Sequence, residues 1–214
     1  HAFHIFHVLG NTDIPYVQQW EEPTEFAEVA SMAMELLASP YLVREKGGFY
    51  NKSDAACGLI EHLEGILRFW PYMAVVDAFQ HWVYENPYAA KDPGNCDAKW
   101  DQLWQRFMPA VDWDGVQDEK ETGWQRKHHI HQQPFYYIEY GLAQLGAVQI
   151  WRNAFKDRRG SLRAYREALS LGGSGPLPDL FTAAGAHFAF DAYTLQQAVD
   201  FIESKLAELG QYNT

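Results

Sequence analysis

The sequence predicts an all-α protein of many helices. Apolar residues recur at the three-and-four-residue spacing of a helix along most of the chain, while the two-residue alternation of a strand is scarce. No fixed-period repeat or low-complexity tract breaks the pattern. Hydrophobic residues make up 47% and aromatics 15% of the 214 residues, enough to bury a substantial core and to set general disorder aside. The whole chain, 1–214, is expected to form a single helical region.

The elements follow in order. Thr24 is a candidate N-cap for a helix ending near Ala38, whose Phe26, Val29, Ala30, Ala33, Leu36 and Leu37 share one face. Ser53 or Asp54 is expected to cap the next helix, through Leu59, Ile60 and Leu63. A long apolar helix from about Ile66 to Tyr84 follows, with Pro71 kinking it or starting its main part. Pro87, Pro93 and Gly94 make 86–95 a loop, and Trp100 to Met108 is helical. A polar stretch from Asp112 to Gly123 leads to His128-His129-Ile130-His131 and a break at Pro134. A helix from about Phe135 to Phe155 comes next; its Gly141, Ala143, Gly146 and Ala147 permit close packing. Helices from about Leu162 to Leu171, Asp179 to Ala184 and Thr194 to Leu209 complete the chain. The glycine-rich run Gly172 to Gly175 lacks the Lys and Ser/Thr of a phosphate-binding loop.

Charge and composition exclude several classes. A net charge of −11 argues against nucleic acid as a partner, because phosphate binding requires a basic footprint. No apolar run reaches the roughly 18 residues needed to span a bilayer. Cys57 and Cys96 have neither metal-site nor disulfide-framework spacing, which fits a reducing, cytoplasmic setting.

Two clusters could carry chemistry. His1, His4 and His7 follow at three-residue spacing, and zinc is commonly held by imidazoles plus a carboxylate such as Glu28. Histidines at a chain start are also common as surface residues, and spacing alone does not decide. The second cluster is His128, His129 and His131 with Tyr136, Tyr137 and Tyr140. Tyrosine and histidine are good donors to a developing oxyanion. Equally, such rings make an ordinary aromatic core with polar tips.

A resemblance joins the two clusters. His1-Ala2-Phe3-His4 resembles the end of an H-E-x-G-H-A-F-H zinc helix. Pro23-Thr24-Glu25-Phe26-Ala27-Glu28 resembles the helix that supplies a further ligand. His129-Ile130 and Pro134 to Gly141 resemble a substrate-side His and Tyr segment, continued by Gln144 to Gln149, Pro178 to Phe181 and Ala184-Gly185. These motifs, in this order, are similar to the oligoendopeptidase F branch of the thimet oligopeptidase-like zinc metallopeptidases. The resemblance implies the multi-helical C-terminal part of a zincin-type catalytic domain, with the family's N-terminal half absent. It implies an endopeptidase that hydrolyses short oligopeptides with zinc-activated water.

On that likeness His1 and Glu28 bind Zn2+, and His4 and Glu25 support them by hydrogen bonding. His129 and Tyr137 or Tyr140 are the oxyanion donors, with Tyr136 a neighbour whose phase after Pro134 is open. No organic cofactor, nucleic acid or membrane is implied; the partners are short peptides and the rest of the same enzyme. The first zinc histidine and the general-base glutamate of H-E-x-x-H are not in the sequence, so the chain alone is expected to be inactive. A helical module that binds peptides or a partner protein without catalysis is the alternative. A haem or di-metal bundle would need paired E-x-x-H motifs, which Glu61-His62 does not supply.

Overall fold

The computed structural model describes residues 14–20 and 23–210. Among these, nine α-helices are joined by turns and short 3-10 segments, and the bridge of Val43 with Tyr50 is isolated rather than part of a sheet. The protein is all-α, as its periodicity predicts. Its residues gather into two compact units, one built from residues up to Glu64 and from Leu142 onward, the other from Gly65–Gly141. No helix among the described residues is long and apolar enough to cross a membrane.

In the first unit, helix α1 (Thr24–Ala38) buries Phe26, Val29, Ala30, Ala33, Leu36 and Leu37, the stripe expected from their spacing. Each large apolar side chain removed from water contributes about 1.5–3 kcal/mol, so this face anchors the helix. Thr24 is not its cap. The Pro23 carbonyl accepts from Phe26 N and Ala27 N, which makes Thr24 the first helical residue and leaves the cap without a side-chain bond. Helix α2 (Lys52–Glu85) starts in this unit and continues into the second.

Neither Ser53 nor Asp54 caps α2. Asn51 does: its side-chain oxygen accepts from Asp54 N at 2.8 Å, and its amide donates to the Asp54 carboxylate at 2.7 Å, a reciprocal capping arrangement. Nor does Pro71 divide the helix, because it lies inside one continuous element. An interior proline costs about 3 kcal/mol. Burial of Leu63, Ile66, Trp70, Met73, Val75, Val76 and Phe79 along the same helix outweighs that cost.

Helix α3 (Pro93–Phe107) begins well before Trp100, inside the segment expected to be a loop. Asp92 accepts from Gly94 N at 2.9 Å, and Pro93 takes the first helical position, where its missing N–H is harmless. Helix α4 (Gln117–Glu121) lies in the expected polar stretch, and its buried Lys120 pairs with Asp101 at 2.6 Å. A single helical turn, α5 (His128–Gln132), follows. Helix α6 (Tyr137–Lys156) starts two residues later than Phe135 and passes from the second unit into the first.

The remainder belongs to the first unit: α7 (Arg158–Leu169), α8 (Leu177–Ala183) and α9 (Ala192–Gly210). Asp157 caps α7 through Gly160 N at 2.9 Å, which starts that helix ahead of Leu162. The Arg158 guanidinium donates to Leu37 O at 2.9 Å, satisfying a last-turn carbonyl of α1. Tyr165 donates its hydroxyl to Ala30 O at 2.8 Å. Gly146 lets α6 approach this core, since a Cβ there would come within 2.7 Å of the Phe181 ring.

Candidate active site

Within the second unit the chain builds a cluster around His129. The α5 turn leaves His128 and His131 exposed and His129 half-buried. After Pro134 the backbone of Phe135 adopts φ 65°, in the left-handed region; no other non-glycine residue among those described has a positive φ. Its N–H donates to the side-chain oxygen of Gln80 at 2.7 Å. The turn hands the chain into α6 so that three tyrosines converge on one imidazole.

The three differ in role. The Tyr136 ring stacks on His129 at 6.0 Å between centroids and 9° between planes. Tyr137 meets His129 edge-on at 5.1 Å and is itself buried. Tyr140 approaches edge-on at 5.5 Å, and its hydroxyl lies 3.2 Å from His129 Nε2. Which of these two groups donates follows the tautomer of the imidazole. Helix α2 supplies the wall: Phe69 packs on Tyr137 at 5.7 Å and on Tyr140 at 6.5 Å, and Tyr72 meets Tyr137 at 6.0 Å. Gly141 permits this approach, because Met73 fills the space a Cβ would take, and Trp70 donates to Gly141 O at 3.3 Å.

The electrostatics favour a neutral imidazole. Burial is the main influence pushing the His129 pKa below its usual value, helped by the charges of His128 and Lys127. Burial likewise raises Tyr137 above the usual phenol range, against the lowering effect of Lys127, which also hydrogen-bonds it. The Lys127 ammonium sits 4.7 Å from the Tyr72 ring centroid and 5.0 Å from that of Tyr137. Tyr72 is pushed up to about 12 by burial, partly offset by Arg126. Burial thus favours the protonated phenols of Tyr72 and Tyr137 and the uncharged imidazole of His129, neutral groups in a partly desolvated site.

In the first unit, Glu28 is half-buried on α1, with Glu25 one turn before it and also half-buried. Ser31 donates its hydroxyl to Glu28 O at 3.0 Å and lies 3.4 Å from Glu28 Oε2. Glu35, further along α1, is exposed and 3.8 Å from His62 Nε2. His1, His4 and His7 lie outside the described residues. Among the described residues no group of three His, Cys, Asp or Glu side chains could hold a metal ion.

Sequence reasoning missed Gln80 and Lys127. The signal for Gln80 was a polar residue one turn after Val76 on a buried stretch of α2; Lys127 gave no signal beyond its place before the histidines.

The sequence profile of peptidase family M3 matches residues 1–199, a span that includes His1, Glu28 and the whole His129 cluster. The chain belongs to peptidase family M3. Among solved structures, a protein described as an oligoendopeptidase F from Bacillus anthracis str. Ames superposes with a TM-score of 0.77 at 27% identity. The match covers 100% of this chain and 34% of that one, so this M3 chain spans about a third of the relative's length. Comparison with curated proteins finds no match.

Proposed function

We propose that this chain forms part of the catalytic apparatus of a zinc-dependent oligopeptidase that hydrolyses short, unstructured peptides. The observation that carries the reading is the His129–Tyr140 pair, 3.2 Å apart, with the imidazole kept neutral. In the M3 family context such a pair suits stabilisation of the oxyanion formed when a peptide carbonyl is attacked. With its proton on Nε2, His129 donates to the phenol oxygen and Tyr140 keeps its O–H as a donor to a ligand oxygen. Tyr136 offers a ring face beside them, and Tyr137, tied to Lys127, holds the base of the cluster.

His1 and Glu28 would hold the metal. The donor set fits zinc: an imidazole and a half-buried carboxylate, the latter with a serine hydroxyl beside one oxygen. Zinc, when bound, lowers the pKa of its water to about 7 and so makes hydroxide available near neutral pH. His4 and Glu25 would steady the ligands by hydrogen bonding. A zinc centre of this type would also need the first histidine of H-E-x-x-H and its glutamate base, and that motif is not among the 214 residues.

The decisive experiment uses the enzyme with its complete zinc motif. Glu28→Ala and His1→Ala should each abolish retained zinc, measured by plasma emission, together with cleavage of a quenched fluorescent peptide. Full metal content in both variants would remove the two residues from the ligand set. Peptide binding without hydrolysis by the metal-loaded wild type would favour a non-catalytic binding module.

A further inference from the structure

We propose that Gln80 is a positioning residue for the His129–Tyr140 pair, acting through the left-handed turn at Phe135. Gln80 is 1% exposed, on α2, and its side-chain oxygen accepts the Phe135 N–H at 2.7 Å. A bulky side chain in the left-handed region is disfavoured, because its Cβ crowds the following carbonyl. Such a conformation persists only where the surroundings over-determine it. Three residues of α2 do so here. Gln80 fixes the backbone, while the Phe135 ring lies 5.0 Å from the His81 ring and 5.1 Å from the Tyr84 ring.

The consequence is one of phase. Helix α6 begins at Tyr137, directly after this turn. If Phe135 relaxed to an ordinary helical or extended backbone, α6 would leave along a different direction, and the tyrosines would rotate relative to His129 on the preceding turn. The Gln80 amide nitrogen adds an independent sign. It is buried and has no hydrogen-bond partner among the described residues. An apolar residue would avoid that unmatched donor, so what glutamine supplies at this position is the acceptor.

The inference rests on the peptidase reading for its catalytic readout but not for its geometric one. The test therefore uses both: peptide hydrolysis by the complete enzyme, and the imidazole 15N shifts of His129 in histidine-labelled protein. Gln80→Leu, close in volume, should lower kcat by about 10²-fold while KM moves less than about threefold. It should also shift the His129 Nε2 resonance as the Tyr140 bond is lost. Gln80→Glu, which keeps an oxygen acceptor, should recover much of the turnover and the wild-type resonance.

Phe135→Val provides a second route, because a β-branched residue resists the left-handed backbone; it should move the His129 resonance in the same direction. An unmoved resonance in folded Gln80→Leu or Phe135→Val overturns the inference, as does wild-type kcat in an active enzyme carrying Gln80→Leu. A wild type that cleaves no peptide defeats the peptidase reading, and the 15N shifts then still decide the role of Gln80.

Discussion

Two buried glutamines grip backbone turns, one in each unit, and they do it differently. In the first unit Gln149 uses both ends of its amide: its nitrogen donates to His187 O at 3.1 Å and its oxygen accepts from His187 N at 3.0 Å. The left-handed residue of that turn is Gly185 (φ 79°), whose carbonyl takes a bond from Asn153 at 2.7 Å. In the second unit Gln80 uses one end only among the described residues, and the left-handed residue is Phe135. The first turn satisfies its groups and adopts its backbone with the residue that does so most easily. The second keeps a strained aromatic and an unmatched donor next to the His129 cluster. Local rules are broken where the proposed chemistry lies and obeyed where only packing is required.

The comparison is sharpest at the cluster itself, where the largest effect is expected. Removing the phenol oxygen with Tyr140→Phe keeps the ring contacts with Phe69, Tyr136 and Tyr137. If the hydroxyl is an oxyanion donor, kcat should fall about 10²–10³-fold with little change in KM. Steady-state kinetics on a quenched peptide measures this, and wild-type turnover would take Tyr140 off the donor list.

How much of this was legible in the sequence follows from the range over which each feature is determined. The α1 stripe was legible because burial imposes its own spacing. The start of α3 was not, since Pro93 and Gly94 signal a loop in isolation and become a helix start only with Asp92 capping them. The unbroken α2 was hidden too: one proline is a local cost, whereas the burial that overrides it is spread along the helix. The residue types of the His129 cluster were visible. The separation of Tyr136, Tyr137 and Tyr140 into a stacked ring, a buried phenol and a hydrogen-bonded hydroxyl was not. It depends on a left-handed Phe135 held from 55 positions away.

The structural turn should respond in stability rather than turnover. Gln149→Leu removes both part-buried bonds to His187, at about 0.5–1.5 kcal/mol each, and leaves His187 O with only its bond from Ala189 N. Denaturant midpoints should fall accordingly while kcat stays unchanged. A fall in kcat with intact stability would erase the distinction between the two turns. Gly185→Ala should cost less, about 1–2 kcal/mol, and for the backbone alone. A Cβ at that position meets only the Asn153 amide, at an ordinary 3.5 Å.

The smallest effect concerns His129 and pH. Its pKa in the folded protein is lowered, first by burial and then by the charges of His128 and Lys127, so the unfolded chain takes up a proton there before the folded one does. Stability from this group is therefore fully present above about 6.5, the ordinary histidine value, and is lost as pH falls through the lower folded value. Thermal midpoints measured from pH 7.5 down to 5 should decline more steeply for the wild type than for His129→Gln, which has no proton to gain. Only position 129 differs between the two proteins, so the difference between the two slopes, rather than either slope, isolates His129. Parallel slopes would mean that the imidazole titrates alike in the folded and unfolded chains, and the case for a neutral His129 beside Tyr140 would lose its electrostatic support.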